Sequence, residues 1–201
     1  MTLDAGTASA ANIASIHGTT GIGTLDGAAV TTLTGTASAV VTALSELDTD
    51  PTSFDVTLDA GTASAANIAS IHGTTGIGTL DGSAVTKLTG TASAVVTALS
   101  QLSNETSTFS VTLSGDHSVG DLKSINNATD GSITVGNSAL DLTGSAADIA
   151  AALDGITGYT GNITLTATSA SAADIATINT ATNGTIDGSA VTTLTLSLIH
   201  I

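Results

Sequence analysis

Apolar residues recur along this chain in two rhythms. In Thr7–Ile16, TASAANIASI, Ile13 and Ile16 stand three apart among alanines, a spacing that puts them on one face of a helix. Ser9 before this run offers a hydroxyl to the amide three residues on, and Asn12 supplies a polar group to return the bond. Gly18 ends the segment, so the pattern predicts a helix of two or three turns. Gly23–Gly27, GTLDG, then reads as a brief extended stretch closed by an Asp-Gly turn, and Ala29–Gly35 as a second one rich in Val and Thr. A third strand, Phe54–Leu58, follows a loop that holds Pro51, where proline interrupts no pairing.

These elements come in copies. TLDAGTASAANIASIHGTTGIGTLDG begins at Thr2 and returns unchanged at Thr57, so a unit of 55 residues is repeated in tandem. Diverged copies begin near Thr112 and Thr164, giving long units of about 2–56, 57–111, 112–163 and 164–195 in one array. Each unit divides again, because TASAVVTALS at Thr36 and Thr91 echoes TASAANIASI at Thr7 and Thr62. In the later copies the cap partner becomes an acid, in Ser145-Ala146-Ala147-Asp148 and Ser171-Ala172-Ala173-Asp174.

Strand, short helix and strand again, without room for a hairpin, imply parallel strands. The fold class expected is α/β: a repeat solenoid of short parallel strands with Ala-rich helices on one side, each coil burying its apolar face against its neighbours. Strands stack about 4.8 Å apart and helices about 8–10 Å, so alanine on the helix side eases a mismatch. An all-strand parallel β-helix is the alternative, and it requires TASAANIASI to be strand or loop.

Charge narrows the partners. Two basic residues, Lys87 and Lys123, face 17 acidic ones for a net charge of −15, which excludes the clustered cations that nucleic-acid binding needs. The same acidity opposes anionic membranes, and no apolar run is long enough to insert. Val, Ile and Leu at fixed places argue against disorder. There is no cysteine, hence no disulfide or thiolate site.

Several residues are of types that could form a site. His17 and His72, with Asp4 and Asp59, make a conceivable metal set, but Asn126 and Asn179 stand at the corresponding places of the later copies, and both residue types finish helices. Asp26, Asp81 and Asp187 precede a glycine, which turn chemistry explains, and known calcium-loop patterns are absent. Asn12, Asn67, Asp121 and Asp174 read as cap partners. Gly21-Ile22-Gly23 lacks the remaining features of a phosphate loop and reads as a bend. Phe54, Phe109 and Tyr159 read as loop anchors on the core. Asp116-His117, in place of Gly-Thr, and Lys123 make the third unit the one that departs furthest from the pattern. No catalytic, cofactor or metal residue is assigned, and no enzyme is expected.

The Thr-x-Thr runs Thr32-Leu33-Thr34, Thr164-Leu165-Thr166 and Thr193-Leu194-Thr195 resemble those of ice-binding β-solenoids in local motif alone. The recurring GTASAxxI and GTxDGSAVTTLTG elements resemble the Thr/Ala/Gly-rich tandem arrays of very large bacterial surface and adhesin-like proteins, including marine cyanobacterial ones; the architecture resembles leucine-rich-repeat-like α/β solenoids. The resemblance implies a non-enzymatic spacer or stalk segment at the cell surface or outside the cell, whose partners are neighbouring repeats of a longer chain. The alternative is a ligand-binding solenoid with a calcium-bridged, glycan-binding or ice-binding face. Met1 stands where later copies carry Val56 and Val111, so the chain is expected to enter in mid-repeat. Leu196–Ile201, LSLIHI, can be encoded by a sequence resembling a transposase adaptor end and is set aside as read-through, His200 with it.

Overall fold

The computed structural model describes residues 1–19 and 21–196; residues 197–201, most of the expected read-through, lie outside the described residues. It is α/β, with two compact units: Met1–Gly90 with Thr97–Phe109, and Thr91–Val96 with the chain from Ser110 onward.

The first unit runs β1 (Gly6–Ser9), α1 (Ala10–His17), β2 (Val30–Gly35), α2 (Ala37–Glu46), β3 (Phe54–Leu58), β4 (Gly61–Ser64), α3 (Ala65–His72), β5 (Ile77–Asp81) and β6 (Val85–Gly90), and the boundary falls within α4 (Ala92–Gln101). Its strands pair in the order β1-β2-β3-β5, every pair parallel, and β4 pairs in parallel with β6. Parallel neighbours need a crossover, and short helices supply it. Pairing joins residues about two dozen positions apart: Ala8 lies opposite Leu33, Leu33 opposite Val56, and Val56 opposite Leu80. Leu33, Val56 and Leu80 are buried, each large side chain worth about 1.5–3 kcal/mol of transfer free energy. Ile13, Val40 and Ile68 close this core from the helix side, with small Ala10, Ala37, Ala43 and Ala65 buried around them.

The second unit holds β7 (Ser110–Leu113), α5 (Val119–Ala128), β8 (Ile133–Thr134), β9 (Leu142–Gly144), α6 (Ala146–Leu153), β10 (Ile163–Leu165), β11 (Ser169–Ser171), α7 (Ala172–Ala181), β12 (Ile186–Asp187) and β13 (Thr193–Thr195). Again the pairs are parallel: β7 with β8, β9-β10-β12 in order, and β11 with β13. Helix α6 packs against both α5 and α7, over Leu122, Ile149 and Ile178.

The expected caps form. Ser9, Ser64, Ser118, Ser145 and Ser171 accept from the amides of Asn12, Asn67, Asp121, Asp148 and Asp174, and Thr36 does the same for Ala39. The return bond differs from expectation. At two of the acidic caps the hydroxyl donates to the carboxylate, Ser118 to Asp121 at 2.8 Å and Ser145 to Asp148 at 2.7 Å. One hydroxyl thus accepts from an amide and donates to an acid at once.

TASAANIASI is strand only up to Ser9 and helix from Ala10 on, which sets aside the all-strand alternative. The hydrophobic pattern does not predict the short strands β1, β4 and β11 directly ahead of the caps. Their residues are extended because each cap residue already has β-region dihedrals, so the strand runs into the helix without a loop. Among the described residues no helix is long and apolar enough to cross a membrane.

Candidate functional site

The most unusual polar cluster lies in the second unit, around His117. Ser118 caps α5 as Ser64 caps α3, so His117 takes the place of Ala63, and Asp116 that of Thr62. Asp116-His117 therefore does not replace Gly-Thr, as ungapped alignment of the copies implies, because one residue fewer separates Leu113 from its cap than separates Leu58 from Ser64. Ala63 is a core position, 2% exposed, and His117 inherits that burial at 7%.

His117 Nε2 lies 2.8 Å from the Tyr159 hydroxyl, and the two rings meet edge to face with centroids 5.7 Å apart. The Tyr159 hydroxyl donates to the Leu140 carbonyl at 2.6 Å. Its only proton is therefore committed, and the contact with His117 requires the imidazole to carry its proton on Nε2. Nδ1 is then an unprotonated acceptor, buried and without a hydrogen-bond partner. Burial pushes the His117 pKa down, against the opposing pull of Asp116 and Asp121. Burial also pushes the Tyr159 hydroxyl up to about 12, aided by the charges of Asp141 and Asp116. Asp116 accepts from Asn137 Nδ2 at 2.7 Å, which fixes the carboxylate beside the cluster.

Tyr159 is thus the core anchor that the sequence implies, fully buried, but with a polar role as well. Such a cluster clamps three segments, around His117, Leu140 and Tyr159. A neutral imidazole with its free nitrogen enclosed, and a phenol held far above neutrality, offer no ready base or nucleophile to a substrate.

Of the other candidate residues, His17, Asn126, Asp26, Asp81 and Asp187 meet their own turns or neighbouring segments. His17 and His72 end α1 and α3, and His17 Nδ1 faces Glu46 of α2 at 3.8 Å, away from any grouping with Asp4 or Asp59. Gly18 and Gly73 follow in right-handed helical geometry, so no left-handed turn is used there. Asn126 lies inside α5, not at its end, and its side-chain amide donates to the Ala151 and Asp154 carbonyls at 3.0 and 2.8 Å, tying α5 to the end of α6.

Asp26, Asp81 and Asp187 each accept the amide two residues on, from Ala28, Ser83 and Ser189, at 2.8–3.0 Å. These bonds hold the Asp81 and Asp187 carboxyls below the usual range. Gly21 and Gly23 have φ of +88° and +64°, a bend as expected. Among the described residues no three His, Asp or Glu side chains converge as a metal ion would require. The hydroxyl rows that run across the strands are interrupted: Thr7 and Thr32 lead to Asp55, while Ser9, Thr34 and Thr57 lead to Asp81.

Two polar rungs escaped the sequence reading. Asp55 accepts both the amide and the hydroxyl of Thr79, at 2.7 and 2.8 Å, and Asn162 does the same for Thr185 at 3.0 and 2.7 Å. Asp55-Val56-Thr57-Leu58 and Asn162-Ile163-Thr164-Leu165 share a pattern in which the first residue is a short polar acceptor, and that was the available signal. Lys123 forms an ion pair with Asp148 at 2.6 Å and so reinforces the α6 cap. Each of these groups is matched to another part of the same unit.

No family model, curated protein or solved structure matches the chain.

Proposed function

We propose that this chain is a run of stacked α/β coils, a solenoid, that serves as a non-enzymatic spacer or stalk segment of a large exported bacterial surface protein of adhesin-like type. Its partners are neighbouring repeats of the same longer chain. The observation that carries the reading is the ladder of equivalent pairs, Ala8–Leu33–Val56–Leu80, in which each strand covers the one about two dozen residues before it. A chain built this way gains length by adding coils, and near-identical copies allow units to be gained or lost without new interfaces. The hydrogen-bonding of the candidate polar residues to their own turns and neighbouring segments also favours a structural role.

The test is a length series. Chains carrying one, two or three further copies of residues 57–111 are measured by small-angle X-ray scattering. Each added unit contributes two coils, so the maximum dimension is expected to grow by about 10 Å per unit at constant cross-section, given strand spacing near 4.8 Å. A cross-section that grows with copy number overturns the reading.

A further inference from the structure

The turn between α2 and β3 holds the one proline of the chain, Pro51, directly after an aspartate. Asp50 is exposed, and its carboxyl makes no hydrogen bond among the described residues. The acids around it are engaged: Asp48 accepts the Leu25 amide at 2.6 Å, and Asp26, bridged to Thr49, accepts the Ala28 amide at 3.0 Å. Residues 74–77, against which the Pro51-Thr52 backbone lies, carry no charge. Hydrogen bonds hold the Asp55, Asp81, Asp148 and Asp187 carboxyls below the usual range, whereas partial burial pushes that of Asp50 up.

Both sides of the Asp50–Pro51 bond are anchored. Upstream, the Thr49 carbonyl accepts the Gly27 amide at 2.9 Å. Downstream, Pro51 is buried, and the Phe54 amide donates to the Gly76 carbonyl at 3.0 Å. The proline nitrogen belongs to a tertiary amide without an N–H, and it leaves as a secondary amine more readily than an ordinary peptide nitrogen. We infer that Asp50–Pro51 is a self-cleavage site, at which the Asp50 carboxyl breaks its own peptide bond in mild acid. The neutral carboxyl adds through one oxygen to the Asp50 main-chain carbonyl carbon, the C–N bond to Pro51 breaks, and the carboxyl proton passes to the Pro51 nitrogen. A five-membered cyclic anhydride remains, and one water opens it to a C-terminal aspartic acid. The fragments 1–50 and 51–201 stay together, because β2 of one pairs with β3 of the other, Leu33 opposite Val56, and α2 of one packs on α3 of the other. Covalent continuity ends at this turn while strand pairing holds the first unit. The next 55-residue copy carries Glu105-Thr106 here and lacks both parts of the site.

The test is incubation of the full chain near pH 5 for days, with circular dichroism to follow the fold and mass spectrometry to read the products. Two fragments are expected, one ending at Asp50 and one beginning Pro51-Thr52-Ser53, that elute as one species in native gel filtration and separate in urea. Asp50→Glu and Pro51→Thr install the residues of the next copy, so folding is retained. The first is expected to slow cleavage by about tenfold or more, because a larger ring must be ordered before attack, and the second to abolish it. At the same pH the urea-unfolded chain, in which the Asp50 carboxyl is no longer desolvated, is expected to be cut more slowly. An equal rate in urea assigns the lability to the dipeptide alone and overturns the site, as does a folded chain that stays intact or is cut regardless of both substitutions. Fragments that part without urea overturn the retained assembly. None of these results bears on the length series.

Discussion

His117 Nε2 lies 2.8 Å from the Tyr159 hydroxyl, which itself donates to the Leu140 carbonyl. Three points of the chain are thereby joined through one buried phenol. Tyr159→Phe leaves the His117 N–H and the Leu140 carbonyl without their partner in the interior, so it is expected to cost about 1–3 kcal/mol of unfolding free energy. Urea denaturation of the variant against the parent chain measures this, and an unchanged midpoint contradicts the clamp.

Acid sensitivity follows from the same pair. The folded-state pKa of His117 is depressed below its ordinary 6.5, so its contribution is fully present above that pH and is lost as pH falls below it, because the unfolded chain takes up the proton first. Between pH 7.5 and 5 the denaturation midpoint is expected to fall, and His117→Ala, the residue that this core position carries in the earlier copy, is expected to flatten the slope. Midpoints across that range for both chains decide the matter.

Gly21 and Gly76 begin the same GIGTLDG and have nearly the same φ, +88° and +87°. A β-carbon at Gly21 meets nothing within 4 Å, whereas at Gly76 it stands 2.5 Å from the Thr52 carbonyl oxygen. Alanine strains the backbone at both places by about 1–2 kcal/mol. Gly76→Ala is expected to destabilise more, by the added steric term, and paired thermal melts of the two variants isolate it.

Asp55 and Asn162 hold equivalent threonines through an amide and a hydroxyl. Asp55→Asn is therefore expected to be tolerated, since asparagine performs this task in the other unit, while Asp55→Ala lowers the melting temperature. The bonds from Thr79 also hold the Asp55 carboxyl below the usual range, so its contribution is present at neutral pH and is lost as pH falls through the depressed value. The gap between the alanine variant and the parent is expected to close in strong acid.

Calcium provides a check on the spacer reading. Asp26, Asp81 and Asp187 are engaged in their own turns, so the melting temperature is expected to be the same in millimolar calcium and in chelator. A rise on adding calcium would favour the bridged alternative.

Much of the local structure was legible in the sequence because it depends on near neighbours. A serine reaching an amide three residues on, an aspartate reaching one two residues on, and isoleucines three apart all act within one or two turns of chain, and Ser9, Asp26 and Ile13 do what their spacing implies. The His117 cluster was only half legible. Its departure from the repeat marked the place, but which position it filled depended on a one-residue shortening that becomes visible once the cap is located.

The sequence by itself determined the repeat, the capped helices, the parallel sense of the strands and an acidic chain poor in cations. Tertiary structure decided what identical segments become. GIGTLDG at Gly76 contains strand β5, while the same letters at Gly21 contribute isolated bridges at Asp26, to Thr2 and to Thr49. The second copy is paired along β3, whereas the first is joined at Asp26, to Thr2 on one side and Thr49 on the other. A strand's hydrogen bonds are made with another part of the chain, so its extent is set by the partner at its edge and cannot be read from its own residues.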